Sequence, residues 1–221
     1  VTFDLALLVR YAPDLLSGLL LTIEIGLAGS VLALLIGGAL GVVLTFGPRG
    51  WQRVIRCYVE FFRGTPLLVQ LFMLYYGGPE IGLTMSATAA GLTGLSLYGG
   101  AYFAEVFRAG LTSVPVGQLE AARSFGYSGS ATLRHIVLPQ ALILMLPPSV
   151  NLLVAIMKDT AILSILTIPE LTFQVTGMTL ETFAFVEPYV ALAAGYWVLV
   201  EITARLGRVA EQRLSHYLVR A

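Results

Sequence analysis

EAARSFGYSGSATLRHIVLP, residues 120–139, is a polar block between long apolar stretches, in which Glu120, Ala121, Ala122 and Gly126 are followed by Ile136, Leu138 and Pro139. Upstream, Ser113 is placed to cap a helix that Pro115 opens, because proline suits a first helical turn and fixes its own φ. Gly126 is placed to close that helix in a left-handed conformation. The result is about three turns, far short of the ~20 residues that cross a bilayer. Glu120 and Arg123 lie one turn apart, and Ala121 and Ala122 offer a smooth surface that another protein can approach closely. Taken alone, such a helix is either a docking surface or an ordinary loop helix.

The surrounding composition is that of a membrane protein. Of 221 residues, 57% are hydrophobic and 12% charged, and the mean hydropathy is +0.84. A soluble domain carries about twice that charge. Long apolar stretches recur at 15–45, 58–77, 83–107, 136–157 and 187–204, each near or above the length needed to span ~30 Å of hydrocarbon. The expectation is an all-α membrane protein forming one domain over 1–221, with five transmembrane helices and a short cytoplasmic helix within the region 113–134. The first stretch is longer than a span requires, so it is expected to tilt or to continue past the bilayer. The opening residues lack a basic leader before a short apolar core, so this first span is expected to direct insertion itself.

Arginine placement sets the expected orientation, because basic residues flanking membrane helices stay in the cytoplasm. Eleven of the 13 basic residues lie on one side: Arg49, Arg53, Arg56, Arg63, Arg108, Arg123, Arg134, Arg205, Arg208, Arg213 and Arg220. Arg10 and Lys158 fall on the other, with Asp4, Asp14, Glu80, Glu170, Glu181 and Glu187. The N-terminus is then outside, the C-terminus inside, and the helix around Glu120 cytoplasmic. The single cysteine, Cys57, has no internal disulfide partner and reads as a small core residue at the cytoplasmic edge of the second span.

Several functions lack their residues. A phosphate loop of the GxxxxGK[ST] type needs a lysine, and the one lysine here, Lys158, has no glycine-rich turn before it. This chain is not expected to hydrolyse ATP alone. His135 and His216 are far apart and outside any HExxH pattern, so no metal site is expected. GYSGS at 126–130 misses the nucleophile-elbow spacing, and no basic cluster with interleaved aromatics suggests nucleic acid.

The block from Glu120 to Pro139 resembles the EAA signature of the membrane subunits of bacterial ATP-binding-cassette importers. A second segment, EFFRGTPLLVQ at 60–70, opens the second span with Glu60 and Arg63 three residues apart and a Gly64-Thr65-Pro66 turn, and is similar to the corresponding part of permeases for polar amino acids, the histidine, arginine, glutamine and glutamate group. Tyr102, Glu105, Arg108, Gly110, Gly117 and Gln118, and the run NLLVAIMKDTAILSI at 151–165, extend the similarity over nearly the whole chain. The resemblance implies a type I importer permease fold in the bacterial inner membrane. It also implies a second permease subunit, identical or homologous, two ATPase subunits that bind ATP and Mg, and a soluble binding protein that delivers a polar amino acid. Glu120, Ala121, Ala122 and Gly126 would then couple to the ATPase, and no cofactor would be bound by this chain.

Glu60 with Arg63, and Glu105 with Arg108, are spaced to pair within their own helices near the cytoplasmic interface, a reading preferred over direct substrate contact. Pro147 and Pro148 are expected to interrupt or kink the fourth span near mid-bilayer, where unwound backbone is tolerated only beside protein or a polar cavity. Asn151 follows one turn later, and Lys158, Asp159 and Thr160 are candidates for the two charged ends of an amino acid. Alternatively Lys158 snorkels to the outer surface and Asp159 caps the next short helix. Glu24 and Glu201 are further ionisable groups within spans. The GxxxG spacing of Gly37 and Gly41 suits helix packing either between subunits or within one. An ion-coupled carrier is the competing function, but no internal repeat supports it.

Overall fold

Asp4 accepts the amides of Ala6 and Leu7 at 2.9 and 3.4 Å, and this cap starts α1 (Leu5–Phe46), 42 residues long with Pro13 inside it. The computed structural model describes residues 3–220, with side chains to 213. Among the described residues the fold is all helical, without strands. Helix α1 begins ten residues before the apolar stretch that starts at 15, and at ~1.5 Å per residue it is about twice as long as the hydrocarbon is thick.

The stretch 58–77, expected as one span, is two helices. Helix α2 (Arg49–Gly64) stops at Thr65, which is extended at φ −118° and ψ 145°, and α3 (Leu67–Phe72) restarts after Pro66. The cause is local: proline pushes its predecessor out of the helical region and supplies no amide hydrogen. Gln70 stabilises the break, its Nε2 donating to the Phe62 and Thr65 carbonyls at 2.9 and 3.1 Å and to Thr65 Oγ1 at 2.7 Å. Helix α3 runs on through a π turn (Met73–Gly77) and a 3-10 turn (Gly78–Ile81).

Helix α4 (Ala87–Leu111) is capped by Ser86, whose Oγ accepts from the Ala89 amide at 3.2 Å. It is displaced four residues from the expected 83–107. Helix α5 (Val116–Ser124) is the short helix of the 113–134 region, and α6 (Gly129–Thr132) leads through a π turn into α7 (Leu138–Asp159). Pro147 and Pro148 lie inside α7 without ending it, so the expected interruption is absent. In a nonpolar setting, staying helical satisfies every backbone group except the few that the prolines orphan. A 3-10 segment (Thr160–Leu166), α8 (Leu171–Thr182) and α9 (Val186–Arg220) complete the chain.

By length and apolar composition, three helical runs among the described residues can cross a membrane: Leu5–Phe46, Gly129–Leu166 and Val186–Arg213. Helix α4 falls outside this group because glycine, tyrosine and the Glu105–Arg108 turn dilute its hydropathy. The largest interface joins α1 to α4. Gly37 and Gly41 face Phe103 and Phe107 there, so the GxxxG spacing packs helices within one subunit. Ile25, Ala33, Leu71, Leu95, Phe103, Ile156 and Leu163 form the core around that contact.

Candidate functional site

The C-terminus of α5 closes on a Schellman motif. Tyr127 N donates to the Ala122 carbonyl at 3.0 Å and Gly126 N to that of Arg123 at 2.9 Å, while Gly126 takes φ +79°. These bonds satisfy carbonyls that a helix end leaves open, and glycine, followed by asparagine, adopts that φ at least strain. At the other end Pro115 occupies the cap position with no side-chain hydrogen bond. Ser113 does not cap α5; its Oγ donates to the Gly110 carbonyl at 2.7 Å and finishes α4 instead.

Helix α5 is largely exposed. Glu120, Ala121 and Arg123 are open to the outside, while Ala122 is buried and faces the protein, so the smooth surface consists of Ala121 without Ala122. Glu120 and Arg123 form no ion pair among the described residues, and Phe125, 83% exposed, projects beside them. A groove of about 430 Å³ runs along this face, lined by Gln118, Ala121, Phe125, Tyr127, His135 and Gln140. Gln140 Nε2 donates to Gln118 Oε1 at 2.7 Å. This bond links α5 to the start of α7.

A second concavity, about 610 Å³, opens between α2 and α4 and is lined by Arg56, Glu60, Arg63, Tyr102, Glu105 and Arg108 among others. Arg108 Nη2 meets Glu105 Oε2 at 2.8 Å, within one helical turn. The expected Glu60–Arg63 pair does not form. The Arg63 guanidinium instead lies over the Tyr102 ring, 5.3 Å from its centroid, leaving Glu60 exposed with no ion pair. The negative face of an aromatic ring attracts a guanidinium.

The outer candidates are not gathered into one site. Asn151 and Lys158 are exposed and Asp159 is half-buried. Thr160 is fully buried, its hydroxyl donating to the Met157 carbonyl at 2.7 Å and lying 3.3 Å from the Tyr196 hydroxyl. Asp159 stands at the start of the 3-10 segment, but its side chain makes no capping bond. Glu24 is exposed, and Glu201 pairs with Arg205 at 2.6 Å and Arg208 at 3.4 Å.

Sequence reasoning missed Glu170, which it placed only as an outer charge. The residue is fully buried at the start of α8. Its Oε1 accepts the Phe173 amide at 2.9 Å, and its Oε2 accepts the Tyr196 hydroxyl at 3.0 Å and the Thr22 hydroxyl at 3.4 Å. Thr22 Oγ1 in turn accepts the Leu171 amide at 3.1 Å. One carboxylate thus joins α1, α8 and α9. The available signal was weak: a carboxylate just before an apolar helix, in the N-cap position.

Comparison with known proteins agrees with this fold. A crystal structure of an amino acid ABC transporter with histidines superposes with a TM-score of 0.90 at 33% identity, covering 96% of this chain and 100% of that one. The probable amino-acid ABC transporter permease protein YckA of Bacillus subtilis is 33% identical over 220 residues, 98% of this chain and 96% of its own. The probable amino-acid permease protein YxeN of the same organism is 35% identical over 217 residues, 97% of each chain. Residues 33–216 match the family described as the inner membrane component of binding-protein-dependent transport systems, and the chain belongs to that family.

Proposed function

We propose that the chain is the membrane-spanning subunit of an ATP-driven importer for a polar amino acid. It lies in the bacterial inner membrane with five crossings, N-terminus outside and C-terminus inside. The second crossing is the broken unit of α2 and α3, and the third is α4, whose polar groups face the transport path instead of lipid. It pairs with a second permease subunit, identical or homologous, and two ATPase subunits below them hold ATP and Mg. A soluble binding protein delivers the substrate from outside. The names of the relatives, which specify amino acids, support the substrate class.

One observation carries the coupling half of this reading. Helix α5 is too short to cross a bilayer, exposes Glu120, Ala121 and Phe125, and is bound to α7 through Gln118 and Gln140. An ATPase that grips α5 and closes on ATP moves α7 through that bond. Replacing Gly126 with valine forces a β-branched residue to φ +79°, a strain of about 1–3 kcal/mol, and should loosen the end of α5. In the reconstituted complex, Gly126→Val is expected to lower substrate-stimulated ATP turnover by about tenfold, the factor that ~1.4 kcal/mol represents, with Gly126→Asn close to the parent. Unchanged turnover in Gly126→Val would count against coupling through this helix.

A further inference from the structure

Tyr98, Tyr102 and Glu105 are spaced four and three residues apart on α4, so they share one face of that helix. All three are half-buried. The Tyr98 hydroxyl donates to that of Tyr102 at 3.3 Å, with the rings 5.0 Å apart between centroids. Beyond Tyr98, toward the end of α7, the Asp159 carboxylate is near enough to act on that phenol electrostatically. In the other direction Arg63 covers the Tyr102 ring and the Glu105–Arg108 pair follows. From Tyr98 to Arg108 this polar face is about 15 Å long. A row of phenols and charges on a membrane helix is costly against lipid and is kept where it borders protein or water.

The groove beside this face has room for a small ligand and opposite charges to hold one. The concavity of about 610 Å³ and a neighbouring one of about 400 Å³, which reaches Leu144 and Pro148 of α7, share Arg63 and Glu105 as walls. Small-molecule sites occupy about 300–1,000 Å³. Arg56, Arg63 and Glu60 all line the larger groove, and none of them is ion-paired among the described residues. A guanidinium matches a carboxylate with two parallel hydrogen bonds, and a free carboxylate suits an ammonium. Unspent charges of both signs at one groove match a zwitterion.

We propose that this face of α4, with the C-terminal end of α2, is a subsite in the cytoplasmic half of the path for a free amino acid. The α-carboxylate of the ligand meets Arg63 and its α-ammonium meets Glu60. The Tyr98 and Tyr102 hydroxyls supply the polar steps that lead from the Asp159 end. This deepens the transport reading and rests on it for the direction of travel. The Arg63–Tyr102 contact is then a resting position that the ligand carboxylate displaces.

The test is a titration of the permease–ATPase complex, without binding protein, against arginine, glutamine and glutamate. Parallel uptake by proteoliposomes that include the binding protein tests the transport reading separately. Because both contacts are to α-groups that every amino acid carries, Glu60→Gln and Arg63→Gln are each expected to weaken all three by about tenfold, the size of one charge-assisted contact of ~1.4 kcal/mol, while glutarate in the same titration, lacking the α-ammonium, is weakened by Arg63→Gln alone. Glu60 is exposed with no ion pair, so its substitution removes no packing and that arm stands even if Arg63→Gln fails to assemble. Losses common to the amino acids, with glutarate weakened only by Arg63→Gln, establish the subsite whatever the uptake assay gives. No binding by the parent, or amino acid affinity unmoved in Glu60→Gln, overturns it. A parent that binds amino acids but takes up none refutes only the transport reading.

Discussion

Glu170 ties together three helices, α1, α8 and α9. Its carboxylate is fully buried and accepts hydrogen bonds from the start of α8, from Tyr196 on α9 and from Thr22 on α1. Removing one partner of such a network leaves the others buried and unpaired, a loss of about 2–4 kcal/mol. Glu170→Ala is therefore expected to lower the midpoint of thermal unfolding in detergent by several degrees, and Glu170→Gln by less, because its amide oxygen still accepts. An unchanged midpoint for the alanine variant would show the network to be without weight. None of this was legible from the chain, because Glu170 and Thr22 are 148 residues apart. Gly126 was legible, since a glycine directly after a short helical run signals a left-handed closure by itself. The Glu60–Arg63 spacing misled, because a spacing of three permits a pair but does not exclude a better partner on another helix, here Tyr102.

Among the elements, the contact of α1 with α4 depends on the absence of side chains. A Cβ at Gly37 would come within 2.2 Å of Phe103 Cβ, 2.8 Å of the Gly100 carbonyl oxygen and 2.9 Å of Ala104 N. Two of those three are backbone atoms, so no rotamer change relieves them. Gly37→Ala is expected to destabilise the fold by about 1–3 kcal/mol, the usual range for overpacking. Gly177→Ala, where nothing lies within 4 Å, serves as the control and should unfold with the parent; equal midpoints for the two variants would contradict this packing. Sequence patterning found the apolar runs of α1, α7 and α9 because hydropathy summed over some 20 residues is insensitive to detail. The same summation weighs side chains and not backbone donors, so it carried one span across Thr65–Pro66 even though Gly64-Thr65-Pro66 reads as a turn and the helix breaks there. It also gave no warning that Pro147 and Pro148 stay helical, which depends on an environment with no water to replace the helix's own hydrogen bonds.

For the whole molecule the orientation is the property to test, because the coupling reading requires α5 and the inner mouth of the charged groove on the ATPase side. Gly117 and Glu80 are both exposed and lie on opposite sides in the proposed topology. In a Cys57→Ser background, Gly117→Cys should react with a membrane-impermeant maleimide only in inverted vesicles, and Glu80→Cys only in intact spheroplasts. Labelling of both from one side would refute the five-crossing arrangement.

The most direct measurement for the transport account is ATP turnover by the complex of this chain, its ATPase and its binding protein in proteoliposomes, with and without a panel of polar amino acids. The account predicts stimulation by one or a few of them, accompanied by accumulation inside vesicles oriented for uptake. Turnover indifferent to every amino acid, or uptake that persists without ATP and follows an ion gradient, would contradict it.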